Sequence, residues 1–469
     1  MCRVRLDLSQ LRAGFRGDIL TPDDPGYENA RVLFNTRIRT RPAVLCRCTS
    51  TDDVVSAVRF ARESDLPVAI RGGGHHACGF SLVEDGLVID LSTLTGVEFD
   101  LGTATATVGA GSGWRDVDRV TYVDVTVPGE SGLPSGYAAP GGDCPTVSNG
   151  GYSLGGGYGL LSRRMGLACD HILEAEVVDA DGRVLRASGQ ENPDLYWALR
   201  GAGGGGFGVV TRLRYRLDPV PKTVVAGVMG WPLDQAEAVL RAYRDMYVGR
   251  DEDRLSLFLF LTTDPYPDGE QVIVVYGLYI GDPAEADAHL EPIRAAGTPK
   301  FDTFGPTSYY DLQTFLAEEI PYGKQSMWRG GYFRDGGFDD DSFALLVDRF
   351  RRVPSGYTMA RFDLLGGGAV ARVPADETAF VHRSSLFYVS LISVWERDDE
   401  TDVNIAWADD LAASLRPHLT GEVYQNYADA DLADWPAAYY GENYPRLRQV
   451  KRRYDPTNFF RHRQSVEPA

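Results

Sequence analysis

The sequence predicts an α+β protein built from more than one domain. The chain has 469 residues, and a chain of that length is expected to divide into at least two domains. Its first half carries three glycine-dense stretches, and its second half alternates strand and helix patterns without a strict βα repeat. This combination favours antiparallel sheets with helices packed on one side.

Residues 42–71 are predicted to form a strand, a helix and a second strand. The strand patterns are AVLCRC and LPVAI, and the helical pattern between them is TDDVVSAVRFARESD. Ser50 and the acidic residues after it suit an N-cap and a first helical turn. The second strand ends at RGGGHH. Successive backbone N–H groups in such a run can face one anion, with Arg71 adding charge, as in a pyrophosphate site; an ordinary glycine-rich turn is the alternative.

Short alternating strands at 86–92, 96–100 and 105–111 predict a small sheet. A helix begins at Trp114, and residues 122–136, which hold three glycines and two prolines, are predicted to be a loop. Residues 172–185 form a predicted hairpin turning at the Asp-Gly pair 181–182. A short helix at 192–200 and a strand at 209–217 complete the first half.

The stretch 140–159 reads PGGDCPTVSNGGYSLGGGYG and holds a lone cysteine, Cys144, between two glycine-dense turns. Glycine density of this kind indicates backbone lying close to something flat or charged, although a mobile surface loop is the plainer interpretation. Cys144-Pro145 is a stiff pair inside that run, and an apolar core segment follows at once, which argues against a mobile loop. A third cluster, GAGGGGFG at 201–208, leads into a strand.

From residue 218 the pattern changes. Strands are predicted at 224–231, 254–261, 271–281, 359–367 and 385–395, with helices at 234–247, 284–296, 342–353 and 403–415. They predict one antiparallel sheet flanked by helices. The last fifty residues contain a predicted strand at 422–427 and a basic helix at 444–454.

Composition narrows the possible partners. A net charge of −19 argues against nucleic acid and anionic membranes, which both require basic patches, and leaves a small molecule as the partner. The absence of a long apolar run or an apolar leader predicts a cytoplasmic protein. The six cysteines and seven histidines show no metal-type spacing, so no metal site is predicted; five of the cysteines are interpreted as reduced core thiols.

Four motifs together resemble the berberine-bridge-enzyme-like family of FAD-linked oxidases, which have the vanillyl-alcohol-oxidase, or PCMH-type, fold. They are RGGGH, GDCPTVSNGGYSLGGGYG, LYWALRGAGGGGFGVVT, and YQNY with YYGEN. The resemblance covers nearly the whole chain and looks like the bacterial natural-product type. It implies a two-subdomain FAD-binding domain over 1–217, a substrate-binding domain over 218–418, and a C-terminal segment, 419–469, that returns to the first domain.

The resemblance implies that FAD is attached twice, through His75 to the 8α-methyl group and through Cys144 to ring carbon C6. A cysteine thiolate suits addition to an electron-poor ring, and two bonds should raise the reduction potential. His76 departs from the family pattern, so His76 is an alternative attachment point. Further FAD contacts implied by the resemblance are Arg71, Gly72, Gly73, Gly74, His76, Gly142, Val147, Gly150, Gly151, Tyr152, Leu154, Gly155, Gly159, Gly203, Gly204, Gly208, Val210, Asn426 and Asn443.

Oxidation of a hydroxyl-bearing carbon requires a general base opposite the flavin. The matched motifs make Tyr427 or Tyr424 the candidate base, assisted by Tyr158 and Tyr388. A tyrosine pKa near 10 must be lowered by a neighbour for this role, and the alternative is that these rings only fill a sheet face. Val147 matches an oxygen-gate position.

The predicted reaction is oxidation of an alcohol, hemiacetal or related C–H group of a bulky natural product or sugar-bearing molecule. Hydride passes to flavin N5, and O2 reoxidation gives H2O2, in secondary metabolism such as antibiotic biosynthesis. The alternatives are a flavin dehydrogenase, an oxidative cyclase and a non-catalytic flavin-binding protein.

Overall fold

The computed structural model describes residues 6–129, 134–265, 267–318 and 322–469. The chain opens with helices α1 (Ser9–Gly14) and α2 (Tyr27–Arg31) around strand β1 (Asp18–Leu20). Strands β2 (Val44–Arg47), β3 (Val68–Arg71) and β4 (Leu87–Asp90) complete a first sheet in the order β1-β2-β4-β3. Both β2 and β3 run parallel to β4.

Helix α3 (Thr51–Glu63) makes the crossover between β2 and β3, as predicted. The Ser50 hydroxyl accepts a hydrogen bond from the backbone N–H of Asp53, and the Asp53 side chain returns the contact, which forms a capping box. The apolar face of α3 is buried against the sheet through Val54, Ala57 and Val58. The second strand of this unit therefore ends where the first glycine run begins.

The second sheet is antiparallel, in the order β10-β9-β11-β6-β5. Its strands are β5 (Val97–Asp100), β6 (Thr105–Gly109), β9 (Ile172–Val178), β10 (Val184–Ser188) and β11 (Val209–Arg216). The predicted hairpin is confirmed, because β9 pairs with β10 across a turn in which Gly182 has φ +71°. Helices α4 (Trp114–Asp118), α5 (Asn149–Leu154), α6 (Ser162–Met165), α7 (Ala168–His171) and α8 (Pro193–Ala202) pack around it.

The predicted loop at 122–136 is wrong over most of its described length. A π-helical turn covers Arg119–Val123, and strand β8 (Pro134–Ala138) pairs with β7 (Val127–Pro128) on one side and with β12 (Asp218–Pro221) on the other. Residues 130–133 of the predicted loop lie outside the described residues. The prolines are tolerated because each sits at the end of a strand, where its missing N–H costs little.

Within the described ranges the largest sheet has eight strands, seven of them in the order β16-β13-β15-β14-β19-β20-β18, while β17 pairs with β13. They are β13 (Val224–Pro232), β14 (Leu255–Asp264), β15 (Glu270–Tyr279), β16 (Phe301–Asp302), β17 (Gly305–Thr307), β18 (Gln325–Tyr332), β19 (Met359–Asp363) and β20 (Tyr388–Trp395). The helices of this region are α9 (Ala236–Tyr247), α10 (Ala286–Arg294), α11 (Tyr309–Glu318), α12 (Asp340–Phe350), α13 (Gly368–Arg372) and α14 (Thr401–Leu415).

The period-2 pattern of the strands divides the two faces of this sheet. On β14, Leu257, Leu259 and Leu261 pack in one core with α9, α10, α12 and α14. Phe258 and Phe260 point the other way, into the core shared with the first half of the chain. The predicted α+β class with an antiparallel, helix-flanked sheet is confirmed.

The predicted strand at 422–427 is wrong, because Gln425–Tyr427 forms a short 3-10 turn. Val423 N–H donates to Ala438 O at 3.0 Å, and Tyr427 N–H closes the turn on Tyr424 O at 2.8 Å, so the segment forms no strand ladder. Helices α15 (Trp435–Tyr440) and α16 (Tyr444–Tyr454) follow, and α16 matches the predicted basic helix.

The C-terminal segment lies on the third glycine cluster. Lys451 on α16 donates to Gly206 O at 2.5 Å and pairs with Asp455 at 2.8 Å, with both side chains fully buried. The Gln425 amide donates to Gly201 O. In the part of the chain that the structure describes, no helix has the length and apolar character needed to span a bilayer.

Candidate active site

The glycine-dense stretches and the open face of the large sheet enclose one continuous cavity of about 740 Å³, a size typical of small-molecule sites. One side, here called the glycine wall, is formed by residues from 72–77, 142–155 and 203–210. The opposite side, the sheet wall, is formed by cavity-facing residues of β13–β20 and the loops between them. Residues of the C-terminal segment close the ends.

All but three of the predicted FAD contacts line this cavity. Those that do are Gly72, Gly73, Gly74, His75, His76, Gly142, Cys144, Val147, Gly150, Gly151, Tyr152, Leu154, Gly155, Gly203, Gly204, Gly208, Val210 and Asn426.

The other three, Arg71, Gly159 and Asn443, lie behind the lining. The Arg71 guanidinium donates to backbone carbonyls at the end of α2 instead of facing the cavity. A Cβ on Gly159 would lie 1.9 Å from Gly141 O, so this glycine allows two backbone segments to touch. The Asn443 amide donates to carbonyls of the loop at 375–379. These three residues support the lining loops.

His75 and Cys144 approach each other at the outer rim of the glycine wall. His75 Nε2 lies 2.8 Å from Thr146 Oγ1, and Cys144 Sγ lies 3.6 Å from the same oxygen. Phe34 stacks on the His75 ring at 4.6 Å. Burial, with the Arg71 charge second, lowers the pKa of His75 to about 4, whereas burial raises the pKa of Cys144. The imidazole is therefore neutral and the thiol protonated near neutral pH.

His76 has different surroundings. Its ring lies 4.9 Å from Phe80 and 6.3 Å from His462, and its Nδ1 accepts a hydrogen bond from Cys78 N–H at 3.2 Å. Burial, followed by the nearby His462, lowers the pKa of His76 to about 3. The two neighbouring histidines therefore serve different parts of the cavity.

Three of the four predicted catalytic tyrosines line the cavity: Tyr158, Tyr424 and Tyr427. The rings of Tyr424 and Tyr427 are 5.0 Å apart, and Tyr158 is 6.1 Å from Tyr424. Tyr388 is fully buried behind Tyr427, at 5.9 Å, and is not part of the lining. Burial raises the pKa of all four hydroxyls.

The hydroxyls of Tyr424 and Tyr427 differ in their hydrogen bonds. Tyr424 Oη accepts from Gly157 N–H and from the Asn426 amide, both at 2.9 Å. Tyr427 Oη makes no hydrogen bond to the protein within the described ranges. Tyr427 therefore presents the freer hydroxyl to a bound molecule.

A partly buried charged cluster joins the two walls, and the sequence analysis missed it. Arg361 on β19 pairs with Asp143 at 3.0 Å and with Asp363 at 2.5 Å, and it donates to Tyr158 Oη at 3.3 Å. The Tyr276 hydroxyl donates to Asp143. The signal was the alternation MARFD, which places Met359, Arg361 and Asp363 on one strand face; charges on a buried strand indicate a pairing partner.

Burial and the neighbouring charges shift the pKa values of the residues in and around this cluster. Burial raises the pKa of Asp363, and the Arg361 charge offsets only part of that shift. Burial acts to lower the pKa of Arg361, but the charges of Asp143 and Asp363 outweigh it, so the net shift is upward. One oxygen of Asp363, Oδ2, is buried with no hydrogen-bond partner among the described residues. The Arg361 charge also opposes the raised pKa of Tyr427.

The sheet wall is mainly apolar and aromatic. Its polar members include Thr262, Thr303 and Ser326. Its cations Arg361 and Lys324 are paired with carboxylates, and Asp264 is an exposed carboxylate at the end of β14. The apolar members are Val228, Phe260, Val274, Tyr276, Phe301, Phe315, Trp328, Met359, Ile392 and Val394.

Residues 42–188 match the family described as "FAD binding domain", and residues 423–467 match "Berberine and berberine like". The chain is 33% identical over 456 residues to the FAD-linked oxidoreductase YvdP of Bacillus subtilis, covering 97% of this chain and 98% of the relative. The chain belongs to the berberine-bridge-enzyme-like family of FAD-linked oxidoreductases.

Other members extend this likeness. The chain is 28% identical to (R)-6-hydroxynicotine oxidase of Paenarthrobacter nicotinovorans over 479 residues, covering 97% of each protein. The solved structure of Physcomitrella patens BBE-like 1 has a TM-score of 0.88 at 26% identity, covering 99% of this chain and 100% of that chain. The berberine-bridge-enzyme-like resemblance and the enzyme assignment are confirmed.

The glycine wall of this berberine-bridge-enzyme-like protein fits FAD. A Cβ on Gly151 or Gly204 would meet no atom within 4 Å, and both glycines line the cavity. Their missing side chains therefore leave space that a flat cofactor can occupy against bare backbone. Gly72 differs, because a Cβ there would lie 2.2 Å from Ser148 Oγ.

Filling this space should displace the cofactor without damaging the fold. We expect Gly204→Leu to reduce flavin incorporation, because overlap with a packed group costs about 1–3 kcal/mol, which corresponds to about fivefold to 150-fold weaker binding. The measurement is the ratio of flavin to protein absorbance after purification. Gly189→Leu is the matched control, since a Cβ on Gly189 also meets nothing within 4 Å but Gly189 lies outside the cavity. Equal flavin content in both variants would contradict this placement.

Proposed function

We propose that this protein is an FAD-dependent oxidase that oxidises a hydroxyl-bearing carbon of a hydrophobic, ring-bearing small molecule, with FAD attached to His75 and Cys144. The observation that carries the proposal is the arrangement of one cavity. His75 and Cys144 line the cavity and both contact the hydroxyl of Thr146, while Tyr158, Tyr424 and Tyr427 line the same cavity. When bound there, FAD would supply a hydride acceptor at N5 and a means of reducing O2 to H2O2.

The choice of His75 over His76 is supported by its neighbours. The 8α and C6 positions belong to one edge of the flavin ring system, so the two attaching side chains must lie close together. His75 and Cys144 both approach Thr146 Oγ1, whereas His76 lies among Phe80, Cys78 and His462. A neutral imidazole has the free lone pair that bond formation requires, and the lowered pKa of His75 keeps it neutral.

Attachment can be tested by peptide mass. We expect the acid-denatured protein to keep its flavin, with flavin mass on the two peptides that contain His75 and Cys144. His75→Ala and Cys144→Ala should each retain flavin on the other peptide alone, and His76→Ala should retain both bonds. Flavin released into the supernatant would refute covalent attachment, and loss of a bond in His76→Ala alone would move the attachment to His76.

Tyr427 is the proposed general base. The hydroxyl oxygen of Tyr424 accepts hydrogen bonds from two N–H donors, so the Tyr427 hydroxyl is the one more available to a substrate. The two rings lie 5.0 Å apart. The cation Arg361 opposes the rise in the pKa of Tyr427, but burial together with Asp363 and Asp143 keeps that pKa above its ordinary value. The bound substrate or the oxidised flavin would therefore have to supply the remaining lowering that a tyrosine base needs. Asp363 holds Arg361 in place, and Tyr158 Oη accepts from it. Val147 on the glycine wall lines the route proposed for O2.

Removing the base should slow flavin reduction and leave flavin attachment intact. We expect Tyr427→Phe to lower the anaerobic rate of flavin bleaching by about 10²–10⁴-fold, the usual contribution of a general base, and Tyr424→Phe to lower it less. The matched control is Tyr243→Phe, which removes a buried hydroxyl that donates to Leu257 O at 2.9 Å on the helix side of the sheet. Undiminished bleaching in the Tyr424→Phe, Tyr427→Phe double variant would exclude both of these tyrosines as the base.

The sheet wall favours a hydrophobic ring over a sugar. A sugar needs many polar partners, but the cations of the wall are already paired and its largest members are aromatic or aliphatic. Burying an aromatic ring of about 150 Å² contributes roughly 3–4 kcal/mol before the costs of binding are subtracted. The likeness to an oxidase named for 6-hydroxynicotine, itself a ring compound, supports this class.

Two probes separate the substrate classes. We expect 2-naphthalenemethanol to perturb the flavin absorption spectrum at concentrations at least about tenfold lower than cellobiose does, because its rings bury apolar area against the sheet wall. Ile392→Asn, which places an amide on that wall, should weaken binding of 2-naphthalenemethanol and leave the flavin content unchanged. Tighter binding of cellobiose would favour a carbohydrate oxidase instead.

A further inference from the structure

Thr146 lies at the meeting point of three functional groups. Its Oγ1 is 2.8 Å from His75 Nε2, 3.6 Å from Cys144 Sγ and 3.2 Å from Tyr322 Oη. A threonine hydroxyl has one hydrogen and two acceptor lone pairs. The Thr146 hydroxyl can therefore bond to all three neighbours at once if two of them donate a hydrogen bond to it and the third accepts one from it.

One assignment of donors and acceptors satisfies all three contacts. A neutral His75 can donate its Nε2 hydrogen to Thr146, which leaves the lone pair on Nδ1 for bond formation. The Cys144 thiol can donate to the second lone pair of Thr146. The hydroxyl hydrogen of Thr146 then points to Tyr322, which is 44% exposed. Protons released at either attachment residue thus have a hydrogen-bonded route to solvent.

Phe34 packs against both His75 and Tyr322, the two rings that contact Thr146. Its ring stacks on His75 at 4.6 Å and meets the ring of Tyr322 edge-on at 5.6 Å. Backbone contact positions Thr146 itself, since a Cβ on Gly73 would lie 2.4 Å from Thr146 O. The hydroxyl is therefore placed by the first glycine run and by the stretch that carries Cys144.

We propose that Thr146 is the positioning residue for covalent flavin attachment: its hydroxyl sets the His75 tautomer, accepts the Cys144 proton and passes protons towards Tyr322 and solvent. The inference rests on the proposed attachment of FAD to His75 and Cys144. It assigns a role to a residue that contacts both attachment side chains and does not line the cavity.

The two bond-forming steps balance with O2 as the oxidant. At Cys144 the S–H bond and the ring C6–H bond break and an S–C bond forms. At His75 the N–H bond and one 8α C–H bond break and an N–C bond forms. Each step leaves two electrons on the flavin and releases two protons, and O2 takes up two electrons and two protons as H2O2. Thr146 handles the proton that each protein side chain gives up.

The test follows attachment in flavin-free full-length protein, produced in riboflavin-starved cells and then mixed with FAD in air. Flavin on the His75 and Cys144 peptides is measured by mass over time. We expect Thr146→Val, which keeps the side-chain shape, to slow formation of the bond between Cys144 and flavin by at least about tenfold, because loss of a proton acceptor typically slows a reaction by about 10²–10⁴-fold. Thr146→Ser should restore the rate, and Tyr322→Phe should slow it less.

A pH profile separates proton handling from a packing role. The pKa of Cys144 is raised, so its thiolate fraction increases as pH rises towards that pKa. We expect higher pH to restore the rate of bond formation at Cys144 in Thr146→Val, because a thiolate needs no proton acceptor. In the wild-type protein this rate should depend less on pH. The His75 bond should form in wild-type protein even near pH 5.5, because its pKa of about 4 leaves the imidazole neutral.

The outcomes are distinguishable. Wild-type rates at both peptides in Thr146→Val would overturn the role of Thr146 and leave the proposed function intact. Wild-type protein without flavin on either peptide would overturn covalent attachment and this inference together. Non-covalent FAD binding and the circular dichroism spectrum show whether Thr146→Val is folded. If it is misfolded, Thr146→Ser decides the question, because serine keeps the hydroxyl. A slow rate of attachment in Thr146→Ser would then count against the role of Thr146.

Discussion

Close contact between backbone segments at glycine is the constraint on which this active site depends. A Cβ on Gly155 would lie 2.0 Å from Asn426 Oδ1, and a Cβ on Gly201 would lie 2.3 Å from Phe380 N. These contacts bring the C-terminal segment and the loop after α13 against the glycine wall. Because Asn426 sits between Tyr424 and Tyr427, the same contact sets the position of both tyrosines in the cavity.

The second organising feature is the ionic contact across the cavity. Arg361 comes from the sheet wall and Asp143 from the glycine wall, and their side chains meet at 3.0 Å. Burying such charges is costly unless each is paired, so the pairing also ties the two walls together. Tyr427, the proposed base, lies near this cluster, whose cation lowers its pKa while the two carboxylates raise it.

Sequence-local and long-range features contribute differently to this site. The proposed attachment residues, Thr146 and Val147 all lie within short motifs, so one resemblance identifies the cofactor and predicts its surroundings. The substrate side is assembled from strands of the large sheet, and its character emerges only when their side chains are seen on one face. That face is apolar and aromatic, which is why the proposed substrate class comes from the structure.

The sequence by itself determined the α+β class, the capped helix α3, the hairpin at Gly182, the basic helix α16, the family and its FAD. These depend on local periodicity, capping and turn chemistry, or on motifs that are contiguous in the chain. Only the tertiary structure decided the 3-10 turn at Gln425–Tyr427 and the pairing of β7 with β8, where contacts from other segments override local strand and loop preferences. The same holds for Arg361 and Asp143, which are 218 residues apart, because no local pattern specifies which distant charges will meet once the two walls close.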